Sequence, residues 1–169
     1  MPVASTGGIV LSVGMVYRRT TPTVITVIEV AAVLACTLFA GAAIYINAVE
    51  HPARLACGTE IAATQFGPSY KRATVMQVSL AVTAALAGMV RGIQGGGTLW
   101  FAGSALIFAV IPYTVIVILP TNNKLLDPQR DRASVETRRL LARWGRLHAV
   151  RSAMSLAAAI LFIWATTRR

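Results

Sequence analysis

Charge is what this sequence lacks most. Only 13% of its 169 residues are Asp, Glu, Lys or Arg, where a soluble domain carries about a quarter. The deficit argues against a conventional water-facing surface and makes lipid part of the solvent. Acids are the scarcest charges, 6 against 16 Lys and Arg, which leaves a net charge of +10. In a soluble protein that excess would suggest nucleic acid. Here the basic residues lie between long apolar runs, and neither a zinc-finger spacing nor an aromatic-basic nucleic-acid motif occurs. Nucleic acid is therefore not an expected partner. Anionic headgroups and membrane topology account for the charge instead.

Cysteine is also scarce. Cys36 lies inside an apolar run and Cys57 beyond its end. A continuous helix would hold them roughly 30 Å apart, so a disulfide would need a sharp chain reversal. Two unpaired thiols are expected. Internal repeats are absent, and so is any sign of a second domain. The opening "MPVASTGG" lacks the order of a cleaved leader, because its positive charges, Arg18 and Arg19, come last. Residues 1–21 read as a short mobile segment, and residues 22–169 as one domain.

What the sequence has is apolar length. Four runs stand out, at about 23–46, 73–90, 98–119 and 149–165. A helix needs about 20 residues to cross a hydrocarbon core of ~30 Å. The first and third runs suffice alone, and the second and fourth must borrow from their flanks. "SVETRRLLARWGRLHAV" contains no proline, and Ser134 with Thr137 or Glu136 makes a helix start. One helix over about 135–166 is expected, basic and interfacial first, buried later. Trp100, Phe101 and Trp164 mark span ends as interface anchors do. Gly41, Gly88 and Gly103 would let helices approach closely, and Pro112 should kink the third. The expected fold class is all-α, an integral-membrane four-helix bundle running up-down-up-down, with the fourth helix extended at its N-terminal end.

Four spans put both termini on one side, with Arg18, Arg19, Arg91, Arg168 and Arg169. The 47–72 and 120–148 connections share the other side. They hold Arg54, Lys71, Arg72, Lys124, Arg130, Arg132, Arg138, Arg139, Arg143 and Arg146. Since Lys and Arg set orientation, the two connections are expected to be cytoplasmic.

That same side gathers the unusual chemistry. "NAVEHPAR", residues 47–54, ends the first run with Asn47, Glu50 and His51. Tyr70 precedes the second run, Asn122 and Asn123 follow the third, and Trp144 and His148 precede the fourth. Trp144, His148 and Arg151 follow i, i+4, i+7 and share a helical stripe. Asn47, His51 and Arg54 do likewise if the helix continues through Pro52. Arg151 falls within a span and needs a partner. Glu50 is the obvious one, whereas Glu29 lies toward the opposite end. Each residue has a plainer reading. The histidines could cap a helix or face headgroups, the asparagines could form a turn, and Trp144 could anchor the interface.

"NAVEHPAR", "LPTNNKLL" and "ARWGRLHAVRS" resemble motifs of the DUF1772, or anthrone oxygenase-like, family of small four-helix membrane proteins. The resemblance covers about residues 30–165. It maps the family pattern onto Asn47, Glu50, His51, Pro52, Asn122, Asn123, Trp144, His148 and Arg151. It implies, for some members, oxygenation of an anthrone to an anthraquinone by O2. A shared fold does not by itself carry that function.

The residues support such chemistry in two ways. An anthrone methylene is acidic, so imidazole at His51 or His148 could remove its proton. Asn122, Asn123 and Arg151 could then stabilise the oxyanion, while Trp144 stacks on the rings. The substrate would arrive sideways from lipid, and the anion would reduce O2 without a metal. Alternatively His51, His148 and Glu50 could form an iron site, although Glu50 and His51 point about 100° apart unless Pro52 distorts the turn. The two histidines could also hold a haem. A non-enzymatic scaffold, lipid-binding or channel role is the reading from another class. Expected partners are the bilayer and a small hydrophobic aromatic, and a homo-oligomer is compatible with the sequence.

Overall fold

The computed structural model describes residues 22–168; the expected N-terminal segment 1–21 lies outside them. Four long helices account for nearly all of the described chain: α1 (Pro22–Ala56), α2 (Thr59–Gly96), α3 (Thr98–Leu125) and α4 (Val135–Thr167). Each is long and apolar enough to cross a membrane, and the protein is an integral, multi-pass membrane protein. The outer surface agrees. Val27, Val75, Leu86 and Ile116 all point outward, Ile116 with 72% of its surface exposed. Water would penalise such a surface, and hydrocarbon does not.

The helices run past the apolar runs at the end where the sequence is most polar. Much of the stretch expected as a 47–72 connection is helical, because polar residues with good helix propensity continue a helix wherever a neighbour covers them. The real links are short. Gly58, at φ +100°, separates α1 from α2, and Gly97, at φ +94°, separates α2 from α3. Any side chain would be strained at both. Asp127 and Asp131 turn the third link by accepting from the backbone N–H groups of Gln129 (3.0 Å) and Ala133 (2.9 Å). The extended α4 starts as expected, with Ser134 Oγ accepting from the Thr137 N–H at 3.2 Å.

Prolines widen the helices without ending them. α1 passes through a π turn at Ile46–Glu50, and α3 through one at Thr114–Ile118. Pro52 and Pro120 follow directly, each four residues beyond a carbonyl inside the π turn. A proline ring clashes with that carbonyl and cannot bond to it, and a wider turn relieves both problems. α3 also continues through Pro112.

Each helix packs against its sequence neighbours, and α4 closes the ring against α1. Two apolar cores result. The larger surrounds Phe39, Trp100, Ile107 and Phe162 among many alanines. The smaller, at the other end, holds Phe66, Ile118, Leu141 and Trp144. Gly88 and Gly103 provide the close approach, since an added Cβ would lie 2.6 Å and 2.7 Å from the Phe162 ring. Gly41 does not, because no atom lies within 4 Å of its Cβ position. Between the cores runs a polar layer built from all four helices. Such a layer is tolerated only where it is hydrogen-bonded or put to use.

Candidate functional site

The polar layer is built around one amide. Asn47 sits on the π turn of α1, which faces it toward α4. Its Nδ2 donates to the Gly145 carbonyl at 2.9 Å. Its Oδ1 lies 2.6 Å from His148 Nδ1 and 2.7 Å from Ser152 Oγ. A carbonyl oxygen only accepts, so the atom facing Gly145 must be the amide nitrogen. Asn47 Oδ1 therefore accepts as well, and His148 Nδ1 carries the proton. In the neutral ring the lone pair is then on Nε2. The hydrogen-bond chain thus selects one histidine tautomer.

His148 is 2% exposed and lines a small central cavity of about 30 Å³ with Trp144, Asn122, Tyr70, Gln77 and Arg151. Trp144 stacks on His148, ring centroids 4.7 Å apart, and meets Phe66 edge-on at 5.3 Å. Asn122 is 1% exposed, yet neither of its amide atoms has a partner. A buried unpaired amide is costly, and this one borders a cavity where a bound molecule could satisfy it.

Arg151 is not paired with Glu50 as expected. Its guanidinium donates to Gln77 Oε1 and lies 5.0 Å above the Phe39 ring. Glu50 instead pairs with Arg54 one helical turn away, and Ser69 Oγ donates to the same carboxylate oxygen at 3.1 Å. Glu29 pairs with Arg91 at 2.7 Å at the opposite end of the bundle. The sequence places Glu50 nearest to Arg151, but α1 turns Glu50 toward α2, where Arg54 and Ser69 reach it first.

His51 packs behind Trp144, centroids 5.1 Å apart, and against the α4 backbone at Gly145. A Cβ at Gly145 would lie 2.8 Å from the ring. The Leu141 carbonyl lies near the ring, but neither ring nitrogen has a hydrogen bond of ordinary geometry. His51 does not border the central cavity. Asn123 is exposed, unlike its neighbour. Among the expected residues the fold thus joins Asn47, Tyr70, Asn122, Trp144, His148 and Arg151. It leaves Asn123 outside, His51 behind the indole and Glu50 one step back from the cavity, held by Arg54 and Ser69, which themselves border it.

The donor set does not suit a metal centre. Among the described residues no three of His, Cys, Asp and Glu converge, and Glu50 is already held by Arg54. Trp144 stands between the two imidazoles, where a haem would have to lie. Both cysteines are free, Cys36 buried and Cys57 exposed.

Three residues that shape this layer escape a sequence reading. Ser152, one turn after His148, shares its acceptor. Gln77 stands out only as a polar residue inside a span, and nothing in the sequence names Arg151 as its partner. Gly145 looks like a flaw in a helix, although its bare Cα is what admits His51.

The anthrone oxygenase family profile matches residues 66–161, so Asn47, Glu50 and His51 lie ahead of the matched region. The anthrone oxygenase tpcL of Aspergillus fumigatus is 31% identical over 143 residues, covering 79% of this chain and 89% of that protein. An anthrone oxygenase of Claviceps purpurea is 29% identical over 148 residues, covering 79% of this chain and 85% of its own. No solved structure matches significantly. By profile and by relatives that cover most of their own length, the chain belongs to the anthrone oxygenase family.

Proposed function

We propose that this protein is a membrane oxygenase that uses O2 to convert the methylene of a hydrophobic, anthrone-like aromatic into a carbonyl, with His148 as the base. The observation that carries the reading is the Asn47–His148 hydrogen bond. It leaves Nε2 basic on a ring that borders the cavity, and it stabilises the imidazolium once the proton arrives.

The steps balance without an added reductant. Nε2 takes one methylene proton, and the remaining electron pair delocalises into the rings as an enolate. The anion gives one electron to O2, and the radical and superoxide join through a new C–O bond. The imidazolium returns its proton to the peroxide. Loss of the second methylene proton with cleavage of the O–O bond then yields the carbonyl and water. Substrate and O2 become quinone and H2O. The negative charge that develops on oxygen falls to Asn122 and Arg151, preorganised donors in a water-poor layer. Trp144 offers a ring face to the substrate. His51, set off from the cavity, acts through Trp144. The basic residues gathered at this end support a cytoplasmic orientation for it.

Dithranol, a dihydroxyanthrone, is the test substrate. Protein purified in detergent is expected to consume one O2 per quinone formed, with no added reductant. His148→Gln is expected to lose roughly 10²–10⁴ in turnover, and His51→Gln far less. Full turnover by His148→Gln would overturn the assignment. So would a stoichiometric metal that is lost in that variant.

A further inference from the structure

We propose that the substrate reaches this site from the bilayer through the cleft between α2 and α3. The Gln77–Arg151 contact is a bar across that route, and once opened it grips the phenolic oxygen of the substrate. The inference rests on the oxygenase reading above.

Size makes the first case. The central cavity, about 30 Å³, is far below the several hundred Å³ of a usual small-molecule pocket. It cannot hold three fused rings. A cleft of about 220 Å³ lies directly beside it. Tyr70, Thr74, Gln77 and Arg151 line both spaces. The Gln77–Arg151 hydrogen bond lies on this shared wall, so separating the two side chains joins cleft to cavity and brings a ring carbon toward His148.

Lining makes the second. Away from the shared wall the cleft is apolar but for Thr114, whose hydroxyl donates to the Val110 carbonyl, with Phe39, Ala81, Val110 and Ile111 inside. Val78 and Val115, both exposed, belong to its outer part. Val115 is on the π turn of α3, where the helix is widest. The rival opening is the groove between α1 and α2, about 900 Å³, whose largely apolar lining also carries Glu50, Glu60, Gln65 and Arg72. It meets the central cavity only through Ile46, Ser69 and Ala73, behind the Glu50–Arg54–Ser69 cluster. An apolar ring would have to part that ion-paired cluster to pass from groove to cavity.

Charge makes the third. Among the described residues no carboxylate pairs with Arg151. Its one hydrogen-bond acceptor is the neutral Gln77 amide, and both Arg151 Nε and Gln77 Nε2 are buried without a partner. A guanidinium at bilayer depth without a counter-ion is poised for an anion. A hydroxylated anthrone, which forms a phenolate or enolate, supplies one on an otherwise apolar frame. The ligand class is therefore a fused aromatic phenol.

The test uses full-length protein in nanodiscs of phosphatidylcholine and phosphatidylglycerol. Danthron, a dihydroxyanthraquinone that cannot turn over, is the binding probe. Val115→Trp and Val78→Trp, at lipid-facing positions, are expected to weaken danthron binding and to lower kcat/KM for dithranol by about tenfold or more. Ile61→Trp, in the α1–α2 groove, should change neither. Arg151→Met should weaken danthron roughly 10- to 100-fold and leave unsubstituted anthraquinone unaffected. Should that variant fail to fold, Arg151→Lys, which keeps charge but loses the planar fork, is expected to show a smaller loss with the same selectivity. A loss with Ile61→Trp alone would overturn the cleft in favour of the groove. Equal loss for both quinones in the Arg151 variants would overturn the oxygen grip. Danthron bound as described by a wild-type protein that consumes no O2 with dithranol would sink the oxygenase reading and leave the cleft standing. Normal turnover by Val115→Trp and Val78→Trp would do the reverse.

Discussion

Replacing Asn47 with Leu isolates what the amide does for His148. The side chains are close in size, so packing changes little. The substitution deletes the 2.6 Å contact to His148 Nδ1 and the 2.9 Å bond to Gly145. Ser152 Oγ is not orphaned, because it also lies 3.0 Å from the Ala43 carbonyl. Without Asn47 nothing selects the Nδ1–H tautomer, and the imidazolium loses its acceptor. A hydrogen bond to a charged group contributes about 1.5–3 kcal/mol. At about 1.4 kcal/mol per decade, that is roughly 10- to 150-fold in kcat. Asn47 borders neither the central cavity nor the α2–α3 cleft, so KM should hold. Steady-state oxygen uptake with dithranol separates the two constants. An unchanged kcat in folded Asn47→Leu protein would show that His148 needs no orienting partner, and the base assignment would fall with it.

Ser152→Ala should lower kcat only a few-fold in the same assay, because it removes one neutral hydrogen bond of roughly 1 kcal/mol from Asn47. In Gly145→Ala the new Cβ meets the His51 ring at 2.8 Å, about 1 Å inside a normal carbon contact. Overpacking of roughly 1–3 kcal/mol should exceed the helix-propensity gain of about 1 kcal/mol, so thermal unfolding in detergent should occur at lower temperature; a rise would refute the tight fit. Gly103→Ala should destabilise by a similar amount through Phe162, and adding Phe162→Leu should restore much of the loss. Arg91→Met removes the ion pair of the buried Glu29 carboxylate and should cost about 1.5–3 kcal/mol, the worth of one hydrogen bond to a charged group. Turnover per folded molecule should survive, since the pair is at the far end of the bundle; a selective loss of activity would link that end to the site.

The all-helical membrane bundle was legible in the sequence because hydrophobic length is a local property. Four apolar runs, with Glu29 and Arg151 their only charges, separated by polar stretches, have few physical solutions in lipid. The start of α4 at Ser134 was legible for the same reason, since capping depends on residues within one turn. Family membership could be read from short motifs in order. The up-down-up-down path also implied that Asn47, Asn122, Trp144 and His148 meet at one end.

Tertiary structure alone decided which of those residues pack together. The π turn before Pro52 sets the rotation of Asn47 and Glu50, and a regular helical wheel does not anticipate it. Glu50 is therefore held by Arg54 and Ser69, and Arg151 is left to Gln77. Asn122 and Asn123 are adjacent in sequence, yet one is sealed beside the cavity and the other faces out, because successive helical positions differ by about 100°. Two histidines of equal standing in the sequence became unequal once Asn47 reached His148 and Trp144 screened His51. Spans follow from composition summed along the chain. Partners follow from helix rotation and long-range packing, which no local stretch of sequence encodes.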